Sequence, residues 1–337
     1  MFKKRKVIII AEAGVNHNGS LRIAKKLVDK ALEAKADYIK FQTFKAESIS
    51  IKNALKANYQ KKNSSKSETQ FQMLKKLELN ENKFSKIISY CKKKKIGFLS
   101  SPFDIESLNF LKKFNMNYIK IPSGEITNLP LLEEIGKNKK KLILSTGMAN
   151  IKEIKNALSV LNKCGTKNNK ITLLHCNSEY PTPFKDANLK AIKTLRNIFN
   201  INIGYSDHTL GIEASIAAVA LGAHVIEKHF TLNRNYKGPD HSSSLEPEEL
   251  SKMIKAIRNV ELSLGNGRKI PSSSEKKNIK IARKSIVAKY EILKGELFST
   301  KNLAIKRPFK GISPMHWYKI IGRRAKKNYK PDDFILN

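Results

Sequence analysis

The chain has 337 residues, 65 of them lysine or arginine against 29 aspartate or glutamate, for a formal charge of +36; this length leaves room for one large domain and one small one. The lysines are spread in short runs such as Lys92–Lys95 and Lys139–Lys141, with no aromatic-interleaved patch, which argues against a specific nucleic-acid binder and for a lysine-biased surface able to draw anionic substrates in. No apolar stretch is long enough to cross a bilayer, and three cysteines without CxxC spacing (Cys91, Cys164, Cys176) predict free thiols packed in a core and a cytoplasmic protein.

Met1 to Lys6 resembles the start of a leader, but the apolar run from Val7 ends at Ile10 and meets Glu12, so no signal peptide is expected. The first predicted strand, Val7–Ala13, carries Glu12 and leads into Asn16-His17-Asn18-Gly19, then a helix over Leu21–Glu33. Strand Tyr38–Thr43 presents Lys40 and Gln42, two apart and so on one face. Phe44–Asn80 is too long for an ordinary connection and reads as a lid or active-site loop. After helix Asn82–Lys95, strand Gly97–Phe103 ends in Ser101 and Phe103, and strand Tyr118–Ser123 gives Lys120 and Ser123, with Glu125 just beyond. Strand Lys141–Gly147 gives Ser145 and is followed by helix Ile151–Leu161. Strand Ile171–Asn177 ends in His175 and Asn177, with Tyr180 following, and strand Ile201–Asp207 ends in Asp207 and His208. Helix Gly211–Leu221, strand His224–Thr231 with Glu227 and His229, and helix Pro247–Leu262 complete the series.

Eight strand–helix units predict a closed (β/α)8 TIM barrel over residues 1–264. An open doubly wound sheet is disfavoured, because no Gly-x-Gly-x-x-Gly follows the first strand. Gly265–Lys277 reads as a linker, with the whole stretch 265–282 assigned to it. Residues 283–337 change pattern to short strand-like pieces, Ser285–Ala288, Ile292–Leu297 and Leu303–Arg307, and form a small β-rich domain.

Polar residues at all eight strand ends point to a catalytic face, since buried Lys and Glu are costly without partners. His208 and His229 end neighbouring strands and can share a divalent metal, although a single such histidine is more often a satisfied core or loop residue. His224 falls at the opposite end of the barrel, and His241 and His316 have no comparable context. Lys40 and Lys120 suit either Schiff-base chemistry or anion binding. Ser101, Ser123 and Ser145 fit a phosphate or carboxylate cradle better, and the residues alone leave both open.

The same residues carry a resemblance. AEAGVNHNGS (Ala11–Ser20), KFQTFKA (Lys40–Ala46), SSPFD (Ser100–Asp104), KIPSGEITNLP (Lys120–Pro130), LSTGMA (Leu144–Ala149), LHCNSEYPTP (Leu174–Pro183), GYSDHT (Gly204–Thr209), IEKHFTL (Ile226–Leu232) and GPDHSSSLEP (Gly238–Pro247) resemble the successive motifs of bacterial sialic acid (N-acetylneuraminate) synthases. ARKSIVAK and IKRPFKGISPMHWY resemble that family's C-terminal antifreeze-like (SAF, β-clip) domain. One departure is that Phe309-Lys310 replaces a Gly-x pair after Arg307.

The resemblance implies a metal-dependent condensation of phosphoenolpyruvate with N-acetylmannosamine, giving N-acetylneuraminate and phosphate. A diacetamido-trideoxy hexose giving legionaminate is the alternative, and Phe44–Asn80 is where sugar preference would be set. His208 and His229 would bind manganese or magnesium. Lys40, Gln42, Ser101, Lys120, Ser123 and Ser145 would hold phosphoenolpyruvate, with Phe103 beside them. Asn177, Ser178, Tyr180 and Asp240 would face the sugar, and Glu12 and Glu125 would lie beside the reacting carbons. Arg307 would reach the sugar's N-acyl group from a partner subunit in a domain-swapped homodimer. No Schiff base is implied.

Overall fold

The computed structural model describes residues 6–63 and 67–336, so most of the leader-like start lies outside the described residues. The chain divides into two compact units, Met1–Gly265 and Asn266–Asn337.

In the first unit the elements run β1 (Ile8–Gly14), α1 (Leu21–Glu33), β2 (Tyr38–Thr43), α2 (Ala46–Ile49), α3 (Asn58–Asn63), α4 (Gln70–Leu77), α5 (Glu81–Lys94), β3 (Gly97–Pro102), α6 (Ile105–Lys112), β4 (Tyr118–Ile121), α7 (Leu129–Lys137), β5 (Lys141–Ser145), α8 (Ile151–Lys163), β6 (Ile171–Cys176), α9 (Ala191–Phe199), β7 (Asn202–Asp207), α10 (Glu213–Ala220), β8 (Val225–His229) and α11 (Pro247–Ser263). The eight strands form one parallel sheet in the order β3-β2-β1-β8-β7-β6-β5-β4. Consecutive strands β3 and β4 stand at its two ends and lie side by side, so the sheet curls into the expected TIM-type barrel. Helix starts are written locally: Ser20, Asn80, Asp104, Asn128 and Asn150 each accept a backbone N–H in the first turn of the helix they precede, satisfying donors that a helix leaves orphaned.

Two apolar layers hold the barrel. Leu27, Phe41, Ile87, Leu131, Leu158 and Ile257 belong to the large outer core between strands and helices. Inside the barrel, Ile10, Leu99, Ile143, Leu174 and Val225 pack together, with Tyr38 and Tyr118 against them. Side chains two apart on a strand share a face. Two residues after each of these stand Glu12, Ser101, Ser145, Cys176, Glu227, Lys40 and Lys120. The polar layer therefore sits directly on an apolar floor, at the C-terminal strand ends.

The long segment 44–80 is not structureless. It holds α2, α3 and α4, and Phe44, Met73 and Leu77 pack with Val15 in a small cluster of their own. Thr69 and Gln72 form a reciprocal cap at the start of α4, the signal that marks a helix here.

The second unit contains α12 (Ser273–Ala282), β9 (Ser285–Ala288), β10 (Leu303–Lys306) and α13 (Trp317–Ile320). The strands pair antiparallel over a core including Ile286, Ile292, Phe298, Tyr329 and Ile335. Two expectations are corrected. The stretch read as linker contains a helix, because Ser272 and Glu275 make a capping box. Ile292–Leu297 is not a continuous strand: Ile292 and Leu297 make single bridges to Tyr329 and Arg324.

Candidate active site

A cavity of about 490 Å³ opens at the C-terminal ends of the strands, the face where barrels of this type carry their chemistry. Glu12, Lys40, Gln42, Ser101, Phe103, Lys120, Ser123, Glu125, Ser145, Ser178, Tyr180, His208, His229 and Asp240 all line it. Asn177 does not, which corrects the expectation for its side chain. Its amide is committed to its own loop, accepting from Glu179 N at 2.8 Å and donating to Asp186 O at 3.4 Å. Arg307 belongs to the second unit, where its Nε donates to the Ala282 carbonyl at 2.9 Å. The Phe309-Lys310 departure is accommodated there, with Lys310 N and Gly311 N both donating to Ser285 Oγ at 2.9 and 3.0 Å.

Four buried charges form the centre. Lys40 Nζ lies 2.9 Å from Glu12 Oε1 and 3.6 Å from Glu227 Oε1, and Lys120 Nζ lies 3.4 Å from the same Glu227 oxygen. Lys40 also donates to Ser101 Oγ at 3.3 Å, Lys120 to Ser145 Oγ at 2.7 Å, and Ser206 Oγ to Glu227 Oε1 at 3.1 Å. Burial works against every charge, and the partners decide the outcome. Burial pushes the Glu12 carboxyl up to about 7, the attraction of Lys40 only partly offsetting it. Burial also opposes charge on Glu227, but Lys120 and Lys40 together hold its carboxyl below the ordinary value. Burial depresses Lys120, whereas for Lys40 it is outweighed by Glu12 and Glu227 and the ammonium is favoured. One oxygen each of Glu12 and Glu227, Oε2, is buried without a hydrogen-bond partner.

Beside the charges stands a ring cluster. The His208 and His229 rings are 5.4 Å apart between centroids, and Tyr180 packs on both, at 4.1 Å from His208 and edge-on at 5.5 Å from His229. Burial keeps both imidazoles neutral, His208 falling to about 4 and His229 well below its usual value. His208 Nδ1 donates to the Asn177 carbonyl at 2.5 Å, which leaves Nε2 as the ring's electron-pair donor. His229 Nδ1 is buried with no hydrogen-bond partner, and Asp240 Oδ2 is 3.9 Å from it, beyond bonding reach. Among the described residues no group of three or more His, Cys, Asp or Glu side chains makes a closed metal site. Two neutral imidazoles, one with an orphaned nitrogen, nevertheless fit a divalent cation, which they would hold with positions left for water or substrate.

The far wall is tight. Gly147 N donates to Ser123 Oγ at 3.0 Å. A β-carbon on Gly147 would lie 2.3 Å from Ser178 Oγ, 2.8 Å from Ser123 Oγ and 2.9 Å from Cys176 Sγ, so only glycine keeps this polar pocket open.

Sequence reasoning missed several contributors, among them Ser206, which lines the cavity beside Glu227. Glu227 was seen at its strand end but given no role, although its spacing from His229 places both on one face. Cys176, expected as core packing, is buried yet lines the cavity. Tyr59, from α3, lines it too, and no local pattern marks it. The histidines given no functional context behave accordingly where described in contacts: His241 is buried between Thr231 Oγ1 at 2.7 Å and Asn18 Oδ1 at 3.3 Å.

A family profile described as "NeuB family" matches residues 27–269. The chain belongs to the NeuB family. A second profile, the SAF domain, matches residues 283–337 of this NeuB-family chain. It is 54% identical to the N,N'-diacetyllegionaminic acid synthase of Campylobacter jejuni, over 98% of this chain and 99% of that protein. It is 44% identical to the protein of the same name from Legionella pneumophila, over 97% of this chain and 93% of the other. The crystal structure of an N-acetylneuraminic acid synthetase from Leptospira borgpetersenii in complex with citrate superposes with a TM-score of 0.71 at 38% identity, over 81% of this chain and 90% of that one.

Proposed function

We propose that this NeuB-family chain joins phosphoenolpyruvate to a diacetamido-trideoxy hexose, giving N,N'-diacetyllegionaminate and phosphate. The sequence put N-acetylneuraminate first. The order is reversed here because relatives 54% and 44% identical over nearly the whole chain carry the legionaminate name. The cavity supports the reversal: Phe44, Ile49, Tyr59, Met73, Leu74 and Leu77 line it from the segment 44–80, an apolar wall suited to a deoxy carbon and acetamido methyls.

The single observation that carries the reaction class is one cavity holding a lysine–serine cradle beside a carboxylate with an unpaired oxygen and a neutral histidine pair. Lys40, Lys120, Ser101 and Ser145 hold the phosphate and carboxylate of phosphoenolpyruvate, with Gln42, Phe103 and Ser123 completing that wall, and Ser178 is on the sugar side. Tyr180 and Asp240 face the sugar. The methylene carbon attacks the sugar aldehyde, forming the new C–C bond and leaving carbon two cationic. Glu12 stabilises that cation electrostatically and takes the proton of the water that adds to it, its Oε2 being uncommitted. Glu125 is half-buried, its carboxyl raised by burial and its Oε2 held by Asn128 Nδ2 at 2.6 Å, so it serves to shape the mouth. The former aldehyde oxygen takes the proton that Glu12 removed from the water, and the tetrahedral carbon expels phosphate, which carries off the hydroxyl proton and leaves the keto acid. His208 and His229 would hold a divalent cation, which when bound polarises the aldehyde oxygen. In this reading the enzyme is cytoplasmic and works as a homodimer, with Arg307 supplied to the partner's sugar site.

The test is phosphate release from phosphoenolpyruvate with manganese and a panel of amino sugars. The diacetamido-trideoxy hexose should give the highest kcat/KM. Preference for N-acetylmannosamine would restore the first reading, and no release with any sugar would reject the reaction.

A further inference from the structure

Tyr59 is the cavity residue with no assigned task whose surroundings say most about it. It stands on α3 and lines the cavity, and its ring centroid is 4.9 Å from that of Tyr180, tilted by 32°. Tyr180 in turn packs on His208, so three rings run in series from the 44–80 segment to the histidine pair. The phenol oxygen accepts from Gln60 Nε2 at 3.3 Å, which orients it while leaving its own proton to donate. Gln60 is itself fixed, its Oε1 accepting from Ala57 N at 3.0 Å. The turn of chain that carries α3 is tied at its base: Gln70 N donates to the Ala54 carbonyl at 3.0 Å, and buried Lys56 pairs with Glu68 at 3.4 Å. Tyr59 is therefore presented by an anchored element.

Burial, joined by the negative charges of Asp240 and Glu179, pushes the Tyr59 phenol well above its ordinary value, so it stays a neutral donor. Asp240 lines the same cavity and faces the sugar in the function proposed above. An acetamido group offers a methyl that packs on an aromatic face and a carbonyl that accepts one hydrogen bond.

We propose that Tyr59 is a specificity-determining residue for the sugar, its ring and hydroxyl forming the wall that receives an N-acetyl substituent. This deepens the function proposed above and rests on it for the identity of the substrate.

The test uses the full chain with Tyr59→Phe and Tyr59→Ala, each checked for an unchanged thermal midpoint. Steady-state phosphate release is measured with manganese, phosphoenolpyruvate and the diacetamido-trideoxy hexose, and calorimetric titration of the same sugar is run with phosphoenolpyruvate and no metal. Tyr59→Ala should raise KM and Kd for the sugar at least about tenfold and leave KM for phosphoenolpyruvate within about twofold, because the aromatic and hydroxyl contacts are lost together. Tyr59→Phe, which keeps the ring and folds wherever the native chain does, should show a smaller rise of about threefold to tenfold. Sugar constants within twofold of the native chain in both variants overturn the assignment, and so does an equal rise for both substrates. Sugar binding that depends on Tyr59 in a chain without turnover would reject the proposed reaction and leave the Tyr59 contact standing.

Discussion

Lys228 Nζ lies 3.0 Å from Asp207 Oδ2, and solvent reaches neither side chain. The two residues sit next to His208 and His229, on the outward face of β7 and β8, so the pair clasps from behind the strand ends that present the histidines. Asp207 Oδ1 also accepts from Thr209 N and Oγ1, at 2.9 and 2.8 Å, Asp207 Oδ2 from Ser215 Oγ at 2.6 Å, and Lys228 donates to the Thr209 carbonyl at 2.5 Å. Removing one partner strands the other charge in a dry interior. Asp207→Asn or Lys228→Met should each lower unfolding free energy by about 3–5 kcal/mol. The double variant should lose less than the sum of the two. Chemical denaturation checks this, and losses under about 0.5 kcal/mol would refute it.

The anion cradle gives a kinetic expectation. Lys120→Ala removes a charged donor, and such bonds contribute about 1.5–3 kcal/mol, so KM for phosphoenolpyruvate should rise roughly tenfold to a hundredfold and KM for the sugar much less. Borohydride should trap no covalent adduct on Lys40 or Lys120. A trapped adduct would favour the Schiff-base alternative.

The histidine pair predicts metal dependence. Manganese should bind the full chain in calorimetric titration, and His208→Ala or His229→Ala should each abolish that binding. Chelation should stop phosphate release, and re-addition of manganese should restore it. Full activity in the presence of chelator would contradict the assignment.

His17 makes stability depend on pH. Gly19 N donates to its Nδ1 at 3.0 Å, which places the ring proton on Nε2, where it has no hydrogen-bond partner. Burial, with Lys83 and His241 nearby, lowers its pKa to about 3. The unfolded imidazole titrates near ~6.5. The folded state thus refuses a proton that the unfolded state takes. The contribution is fully present above pH ~6.5 and is lost progressively as pH falls from there toward the folded value. Between about pH 7.5 and 5 the loss attributable to His17 should be roughly 2 kcal/mol. It is read as the difference between the native chain and His17→Asn in denaturation midpoints. Identical pH slopes for the two chains would rule it out.

Shared active sites follow from the homodimer proposal. Mixing an Arg307→Ala chain with a Glu12→Ala chain should restore activity, since one site of a mixed dimer keeps both residues. A mixture that stays inactive, or a monomer by light scattering, would end that model.

The barrel was legible because its strands are short, β-branched and spaced by amphipathic helices, and because each inner apolar residue predicts a polar one two positions on. Lys40, Lys120, Glu12 and Ser145 follow from that alternation, and His229 stands one step further along β8 on the same face as Glu227. Asn177 failed because it lies past the end of β6, where the strand period no longer fixes direction and an Asn side chain prefers to bond its own loop. Tyr59 was illegible because its place depends on how a long connection folds back over the barrel. Helix α12 was hidden by the serines and lysines that made its surroundings look like a linker, although the Ser272–Glu275 cap was present to be read.

Glu227 arrives late in synthesis. Lys40 meets its first counter-charge in Glu12, which precedes it in the chain, but Lys120 has no carboxylate partner until β8 is made. A chain released before that point leaves Lys120 without its ion-pair partner, the charge of Glu12 only partly offsetting its burial. The last strand therefore brings both the hydrogen bonds that join β7 to β1 and the charge that makes the interior tolerable. Closure is then a single long-range event, of the kind that folds slowly and leaves unfinished intermediates exposed to aggregation, and a truncated chain ending before Val225 should be recovered unfolded rather than as a partial barrel.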